Sequence, residues 1–99
     1  MSIIESNIDN IGLLCRNHHV HSMSVFGSVL TDRFNDDSDI DMLVSFNELP
    51  IEDYADNFLQ LMESLSKLLG RDIDLVEEKA IRNPVFRNIV EKTKMKIYG

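Results

Sequence analysis

Two aspartates in one short segment are the residues best suited to chemistry. Asp39 and Asp41 stand one residue apart in a stretch whose apolar residues alternate, which predicts a β-strand. Side chains two positions apart on a strand project from the same face, with their Cα atoms roughly 6.5–7 Å apart. Two such carboxylates can share one divalent cation or hold two cations about 3.5–4 Å apart. Simple solvation of the pair would leave their repulsion uncompensated, so a cation site is the better interpretation.

A glycine and a serine precede these acids at a position where the chain turns. Gly27 permits a tight turn that brings backbone N–H groups close to a phosphate, and the hydroxyl of Ser28 adds a donor. Gly-Ser is also a common turn, so the dipeptide alone is a weak signal. The full pattern of Gly-Ser, ten residues and Asp-x-Asp arises by chance in about three of every thousand chains of this composition. The joint spacing is therefore the stronger signal.

A third acid lies further along the chain in the segment Arg71-Asp72-Ile73-Asp74-Leu75-Val76. If this segment is a strand beside the one that holds Asp41, Asp74 completes a cluster of three carboxylates. Asp72 has the same strand parity, so the pattern alone does not choose between the two.

The elements that must position these residues follow from apolar periodicity and from chain-breaking residues. Gly70 favours the end of a long helix, and Asn83 with Pro84 favours the start of the last helix. Met95 to Tyr98 stays open between helix and strand. The predicted elements are helix Ile3–Asn17, strand Val20–Phe26, a loop over residues 27–38, strand Asp39–Phe46, a helix from about Pro50 to Gly70, strand Asp72–Val76 and a helix from Asn83. Three short strands covered by helices make a small α+β or α/β sandwich.

The composition limits the classes of protein that this chain can be. Its 99 residues carry a net charge of −7 and are 43% hydrophobic, which indicates a single globular domain over residues 1–99. No apolar run reaches the roughly 20 residues of a membrane span, and the N-terminus does not resemble a signal peptide. Cys15 is the only cysteine, which excludes an intrachain disulfide and favours the cytoplasm. The negative charge disfavours direct nucleic-acid binding and favours divalent cations or a cationic partner.

The motifs together resemble a known superfamily. Phe26-Gly27-Ser28, Asp39-Ile40-Asp41 and Ile73-Asp74-Leu75-Val76 are similar to the pattern of polymerase-β-type nucleotidyltransferases. More narrowly, the chain resembles the minimal nucleotidyltransferases (MNT), many of which are antitoxins paired with HEPN-domain toxins. The similarity runs from Val20 to about Val90. It implies an α+β fold with a short mixed sheet of about three strands packed with about three to four helices.

The resemblance also implies roles for individual residues. Asp39 and Asp41 would bind Mg²⁺, with two ions expected, and Asp74 would be the third metal-binding carboxylate. The family pattern places its third acid before Leu-Val, which favours Asp74 over Asp72. Gly27, Ser28 and Ser38 would contact the triphosphate of ATP.

One part of the family pattern is missing. Relatives often carry an arginine just after Gly-Ser and a glycine four residues beyond the serine, where this chain has Val29 and Asp32. We expect Arg33 to contact the nucleotide instead, with Arg71 and Lys79 as weaker candidates.

The function that the resemblance implies is Mg²⁺-dependent transfer of AMP from ATP to a hydroxyl of a partner HEPN-type toxin, which neutralises the toxin. The alternatives are an antitoxin that only binds and occludes its toxin, and a small-molecule nucleotidyltransferase that works as a homodimer.

Two further features carry other interpretations. His18, His19 and His21 cluster at the end of the first helix, but adjacent histidines point in different directions and no cysteine lies at zinc-site spacing, which favours a polar helix terminus. Cys15 lies on the apolar stripe of that helix and is predicted to be a core residue rather than a nucleophile.

Overall fold

A four-stranded mixed sheet organises the fold, and the computed structural model describes it over residues 2–99. The strands lie in the order β3-β2-β1-β4. Strand β1 is antiparallel to β2 and β4, whereas β2 and β3 are parallel. The strands are β1 (Val20–Phe26), β2 (Ile40–Phe46), β3 (Ile73–Glu77) and β4 (Met95–Tyr98). The predicted α+β class is confirmed, and the sheet has one strand more than the three expected.

The fourth strand is the segment whose structure the sequence left open. Met95 pairs with Val25 and Tyr98 with Met23, so β4 extends the sheet beyond β1. Four residues are too few to show a helical or a strand period, and pairing with β1 decides the conformation.

The α-helices of the described part of the chain are α1 (Ser2–Glu5), α2 (Ile8–Asn17), α3 (Ile51–Leu69) and α4 (Pro84–Thr93). The single N-terminal helix predicted from Ile3 is wrong in one respect, because the chain breaks it at Asn7. The side-chain Nδ2 of Asn7 donates to the carbonyl oxygen of Ile3 at 2.8 Å. Asparagine competes in this way with the helical hydrogen bonds and favours helix ends.

The ends of α3 and α4 agree with the sequence. Gly70 follows α3 with φ 65°, a left-handed conformation that glycine adopts readily, and its N–H donates to the carbonyl oxygen of Ser66. The side chain of Asn83 accepts from the backbone N–H groups of Val85 and Phe86, and Pro84 occupies the first turn of α4.

The two faces of the sheet have different surroundings. One face, the helix-covered face, packs against α1, α2 and α3. Its strand residues alternate along each strand and are buried with Cys15 of α2 and Leu65 of α3. Burial raises the pKa of the Cys15 thiol to about 12, as expected of a core cysteine. The strand residues of this face are Met23, Val25, Ile40, Met42, Val44, Ile73 and Leu75.

The opposite face, here called the carboxylate face, carries Asp41 and Asp74 at the alternate positions. It has a smaller apolar cluster in which Val90 of α4 and Ile81 contact Phe26 and Leu43. No helix within residues 2–99 is long and apolar enough to cross a membrane.

Candidate active site

A pair of carboxyl groups occupies the centre of the carboxylate face. The parallel register of β2 and β3 places Asp41 opposite Asp74. Burial raises the pKa of Asp41, and the charge of Asp74, a hydrogen bond between the two carboxyl groups and the charge of Asp39 raise it further. The site therefore concentrates negative charge, and neither carboxylate takes part in an ion pair with another side chain of residues 2–99.

The third predicted acid, Asp39, lies outside the strand pairing that places Asp41 opposite Asp74. Asp39 is exposed and stands immediately before β2, so the strand begins one residue later than the sequence predicted. Its charge acts on Asp41. Within residues 2–99, no three His, Cys, Asp or Glu side chains lie close enough together to form a ready-made metal site. The structure thus joins Asp41 with Asp74 and leaves Asp39 at the edge of the site.

The register also separates the two candidates for the third acid. Asp74 faces Asp41 across the ladder, whereas Asp72 precedes β3 and its carbonyl oxygen accepts from the N–H of Ile40 at 3.0 Å. The third strand begins at Ile73 rather than at the predicted Asp72.

The turn that follows β1 brings its backbone against Asp41. Gly27 begins a 3-10 turn, Gly27–Leu30, with φ 75°. A Cβ atom built on Gly27 would lie against Oδ2 of Asp41 and 3.3 Å from its Cγ, so no larger residue fits without moving that carboxylate. The backbone carbonyl of Ser28 accepts from the N–H and the hydroxyl of Thr31, which closes the turn. Because Gly27 has no Cβ atom, the backbone of the turn can lie directly against the carboxylate of Asp41.

The remaining predicted nucleotide contacts lie in the loop between this turn and β2. Arg33 is exposed, and its N–H donates to the hydroxyl of Thr31 at 3.2 Å. The hydroxyl of Ser38 accepts from the N–H of Asn35 at 3.1 Å, so this side chain shapes the loop.

The two weaker candidates for a nucleotide contact are placed differently from each other. Arg71 donates to two backbone carbonyls of this loop rather than facing an open phosphate position. Lys79 is exposed in a 3-10 turn after β3, where its N–H donates to the carboxylate of Glu77.

An apolar groove of about 650 Å³ opens beside the carboxylates. Asp41 and Gly27 lie in its wall together with apolar side chains from α4, the 3-10 turn and β1. Phe26 and Phe86 meet edge to face inside it, with ring centroids 6.0 Å apart. The sequence pattern did not reveal this groove. The sequence signal that could have indicated it is the apolar pair Phe86 and Ile89, three residues apart on α4. Both side chains are exposed in the structure.

The histidines of the first helical segment contribute elsewhere. Nδ1 of His18 lies 2.8 Å from the carbonyl oxygen of Leu14 at the C-terminus of α2. His19 follows with φ 61°. His18 and His19 end the helix, as predicted, whereas His21 lies in β1.

The family model described as "Polymerase beta, Nucleotidyltransferase" matches residues 9–99. The chain belongs to this family. The family predicted from the sequence motifs is thereby confirmed, and the observed fold agrees with it.

Relatives and solved structures extend this assignment. A provisionally named protein adenylyltransferase of Methanocaldococcus jannaschii is 40% identical over 80 residues, which are 81% of this chain and 79% of the relative. The protein adenylyltransferase MntA of Thermococcus cleftensis is 33% identical over 73 residues, 74% of this chain and 71% of MntA. A solved structure described as a minimal nucleotidyltransferase by provisional assignment superposes with a TM-score of 0.77 at 29% identity, covering 93% of this chain and 90% of its own.

A more distant structure shows the same fold. It is a complex of a tri-AMPylated HEPN toxin with an MNT antitoxin from Shewanella oneidensis. It matches with a TM-score of 0.66 at 22% identity, over 96% of this chain and 71% of that one.

The side chains of the site fit a divalent cation. Carboxylate oxygens are hard donors, which Mg²⁺ prefers. Burial raises the pKa of Asp41, and the charges of Asp74 and Asp39 raise it further, so these carboxylates repel one another. A cation bound between Asp41 and Asp74 would relieve that repulsion, with Asp39 exposed at the edge of the site.

Proposed function

We propose that this nucleotidyltransferase transfers AMP from ATP to a hydroxyl of a partner protein, a HEPN-type toxin, and so neutralises it. The observation that carries the proposal is the pairing of Asp41 with Asp74 against the backbone of the Gly27 turn. This arrangement provides carboxylates for a metal ion next to backbone groups that can hold a phosphate.

The names of the relatives support transfer to a protein. Relatives that are 33% and 40% identical are named protein adenylyltransferases. Two structural neighbours add a partner and a nucleotide: one is an MNT antitoxin complex with an AMPylated HEPN toxin, and one is a toxin-antitoxin pair with AMP-PNP. The proposal places the protein and its toxin in the cytoplasm, where ATP and Mg²⁺ are available.

The chain's own residues would do three things in this reaction. Mg²⁺, when held by Asp39, Asp41 and Asp74, supplies positive charge that neutralises the triphosphate and the departing pyrophosphate. The backbone of Gly27 and the hydroxyl of Ser28 would hold the phosphates in place, with Ser38 and Arg33 at the edge of the site. The catalytic contribution is positioning and charge neutralisation rather than covalent catalysis.

The bond changes are those of a simple displacement. The oxygen of the acceptor hydroxyl forms a bond to the α-phosphorus, and the bond from that phosphorus to the bridging oxygen breaks, which releases pyrophosphate. The hydroxyl proton moves to a carboxylate oxygen of Asp74, which lies on the same face as Asp41.

A second candidate function is an antitoxin that works by occlusion alone. Val29 and Asp32 replace the arginine and glycine that relatives often carry, and Arg33 is the one basic residue between Gly27 and Asp39. The side chain of Arg71 already bonds to loop carbonyls. Weak triphosphate binding would follow from this shortage of positive charge.

Labelled ATP distinguishes these functions. The protein is incubated with ATP labelled at the α-phosphate and Mg²⁺, with and without the product of the adjacent gene. Label on that neighbour is the expected result, and the Asp41→Ala variant is expected to remove it. Asp56→Ala is the matched control, because it removes an exposed carboxylate of α3 and should leave labelling intact.

The other outcomes decide against protein adenylylation. A stable complex without label would support occlusion, and label on a small molecule alone would support a homodimeric small-molecule transferase.

A further inference from the structure

The geometry points to Arg71 as a positioning residue that holds the segment 34–39, here called the Asp39 loop, against the start of β3. Arg71 thereby sets where the carboxylate of Asp39 stands relative to Asp41 and Asp74. This inference rests on the proposed function, since it concerns the same metal site.

The side chain of Arg71 is committed to the Asp39 loop by three contacts. Nη1 donates to the carbonyl oxygen of Asn35 at 2.7 Å and to that of Ser38 at 2.8 Å. The guanidinium carbon lies 4.4 Å from the centre of the Phe34 ring. Only 16% of this side chain is exposed. The loop therefore contacts the guanidinium through Phe34 and Asn35 near its beginning and through Ser38, the residue before Asp39.

The ion pair with Asp36 does not explain the arrangement. Its atoms are 3.9 Å apart and the side chain of Asp36 is fully exposed, so solvent screens the attraction. The carbonyls and the ring are the partners that hold Arg71, and they select an arginine. A lysine has the charge but lacks the planar group that can stack on a ring while donating sideways.

The backbone of Arg71 is anchored as firmly as its side chain. Its carbonyl oxygen accepts from the hydroxyl of Ser66 near the end of α3 at 2.8 Å. The next residue, Asp72, accepts from the N–H of Ile40 at 3.0 Å, and β3 then leads to Asp74. One residue thus connects the loop that ends at Asp39 with the strand that carries Asp74.

This connection matters because the other contacts that reach outside the Asp39 loop lie at its first residue, where Phe34 packs against the core of the helix-covered face and its N–H donates to the carbonyl oxygen of Thr31. The internal hydrogen bonds of the loop join Asn35 with Asp37 and Ser38. These bonds shape the loop but do not tie it to the sheet. Without the guanidinium, the carbonyl oxygens of Asn35 and Ser38 would lose the donor that holds the loop against the start of β3. Arg71 therefore acts on the metal through Asp39 rather than by touching the nucleotide.

The test compares Arg71→Lys with Arg87→Lys. Arg87 is a matched control because it too is partly buried and donates to two backbone carbonyls, those of Glu78 and Ile81, away from the Asp39 loop. Three quantities are measured for each protein: the Mg²⁺ concentration that half-saturates transfer at saturating ATP, the affinity for Mn²⁺ with AMP-PNP by calorimetry, and the amide exchange rates of the Asp39 loop.

Arg71→Lys is expected to raise the half-saturating Mg²⁺ concentration and weaken Mn²⁺ binding by about tenfold or more, the usual cost of losing a group that orients a metal ligand. Exchange of the loop amides should accelerate while the amides of β2 keep their protection. Arg87→Lys should lower thermal stability without changing metal dependence. Phe34→Leu keeps Arg71 but removes the ring beneath it, and should shift metal affinity in the same direction by less.

Unchanged metal affinity and unchanged loop exchange in Arg71→Lys would overturn the inference, as would an equal loss of metal affinity in Arg87→Lys. Failure of the proposed function has a different result. If wild-type protein transfers no AMP, the calorimetric and exchange measurements still compare the two variants and decide the role of Arg71.

Discussion

The two faces of the sheet use neighbouring residues of the same strands for opposite purposes. On β2, Met42 is fully buried on the helix-covered face, whereas Asp41 beside it faces the carboxylate face and is only half-buried. Burial of Met42 stabilises the fold, because apolar surface leaves water. The position of Asp41 opposes folding, because partial burial removes water from its carboxylate and the like charge of Asp74 lies close to it. The helix-covered face therefore stabilises the fold, whereas the carboxylate face carries negative charge that a bound cation would neutralise.

The largest contrast should come from substituting these two neighbours. Asp41→Asn is expected to reduce AMP transfer by at least on the order of 100- to 1000-fold, the usual cost of removing one electrostatic contact to the reacting group. It should leave the metal-free protein at least as stable as wild type, since it removes a repulsion. A labelling assay measures the transfer, and denaturant unfolding of the same preparation measures the stability. A variant that labels its partner at the wild-type rate would remove Asp41 from the mechanism.

The dependence of stability on pH should differ between the same two proteins. Because the pKa of Asp41 is raised by folding, the native state binds a proton more tightly than the unfolded chain does. The contribution of Asp41 to the free energy of unfolding is then most favourable below the ordinary carboxyl pKa and is lost as the pH rises through the raised value. The Asn variant lacks this group and should lose less stability over that interval, as measured by chemical melts at a series of pH values. Identical pH profiles of stability for wild type and Asp41→Asn would contradict a raised pKa at Asp41.

Met42→Ala should show the reverse of Asp41→Asn. Truncating a buried methionine costs about 2–5 kcal/mol of unfolding free energy. At roughly 4–8 °C per kcal/mol for a domain of this size, the melting midpoint should fall markedly. Below that midpoint, transfer per folded molecule should stay close to wild type. A variant that melts normally but transfers poorly would show that the two faces are not separable in this way.

Two glycines sharpen the comparison further. Gly27 and Gly70 both have positive φ, so alanine at either position adds about 1–2 kcal/mol of backbone strain. A Cβ on Gly70 meets nothing within 4 Å, whereas a Cβ on Gly27 meets the carboxylate of Asp41. Gly27→Ala should therefore destabilise more than Gly70→Ala and should also impair nucleotide binding, as thermal melts and calorimetry would report. Equal losses in both variants would mean that the contact with Asp41 is unimportant.

The smallest effect concerns Cys15 on the helix-covered face. Burial raises its pKa to about 12, so the thiol stays protonated near neutral pH and has little access to reagents. Alkylation of the native protein by iodoacetamide between pH 7 and 9 should be far slower than that of the unfolded chain. Mass spectrometry follows the reaction, and rapid modification of the native protein would indicate that α2 opens easily.

The sequence predicted those features that depend on local chemistry. The end of α3 at Gly70 and the cap of α4 by Asn83 are such features, since each follows from one residue's conformational or hydrogen-bonding preference. The spacing of Gly27 and Ser28 with the two aspartates of the β2 segment also led to the right family.

Features that depend on distant partners were not predictable in the same way. The parity of strand residues left Asp72 and Asp74 equivalent, and only the register with β2 places Asp74 opposite Asp41. The contacts of Arg71 with the Asp39 loop join positions 33 and 36 residues apart, which no local pattern reveals. The β4 strand and the apolar groove likewise exist only through tertiary pairing.

The carboxylate face should bind a metal-bound nucleotide, and a thermal melt tests this claim without any partner protein. Mg²⁺ with a non-hydrolysable ATP analogue binds only the folded chain, so at a hundredfold excess over Kd it should add about 2.7 kcal/mol of stability. Wild type should then melt at a clearly higher temperature, and Asp41→Asn should show no such shift. A wild-type melt that does not respond to metal and nucleotide at millimolar concentrations would contradict the claim and favour an antitoxin that acts by occlusion.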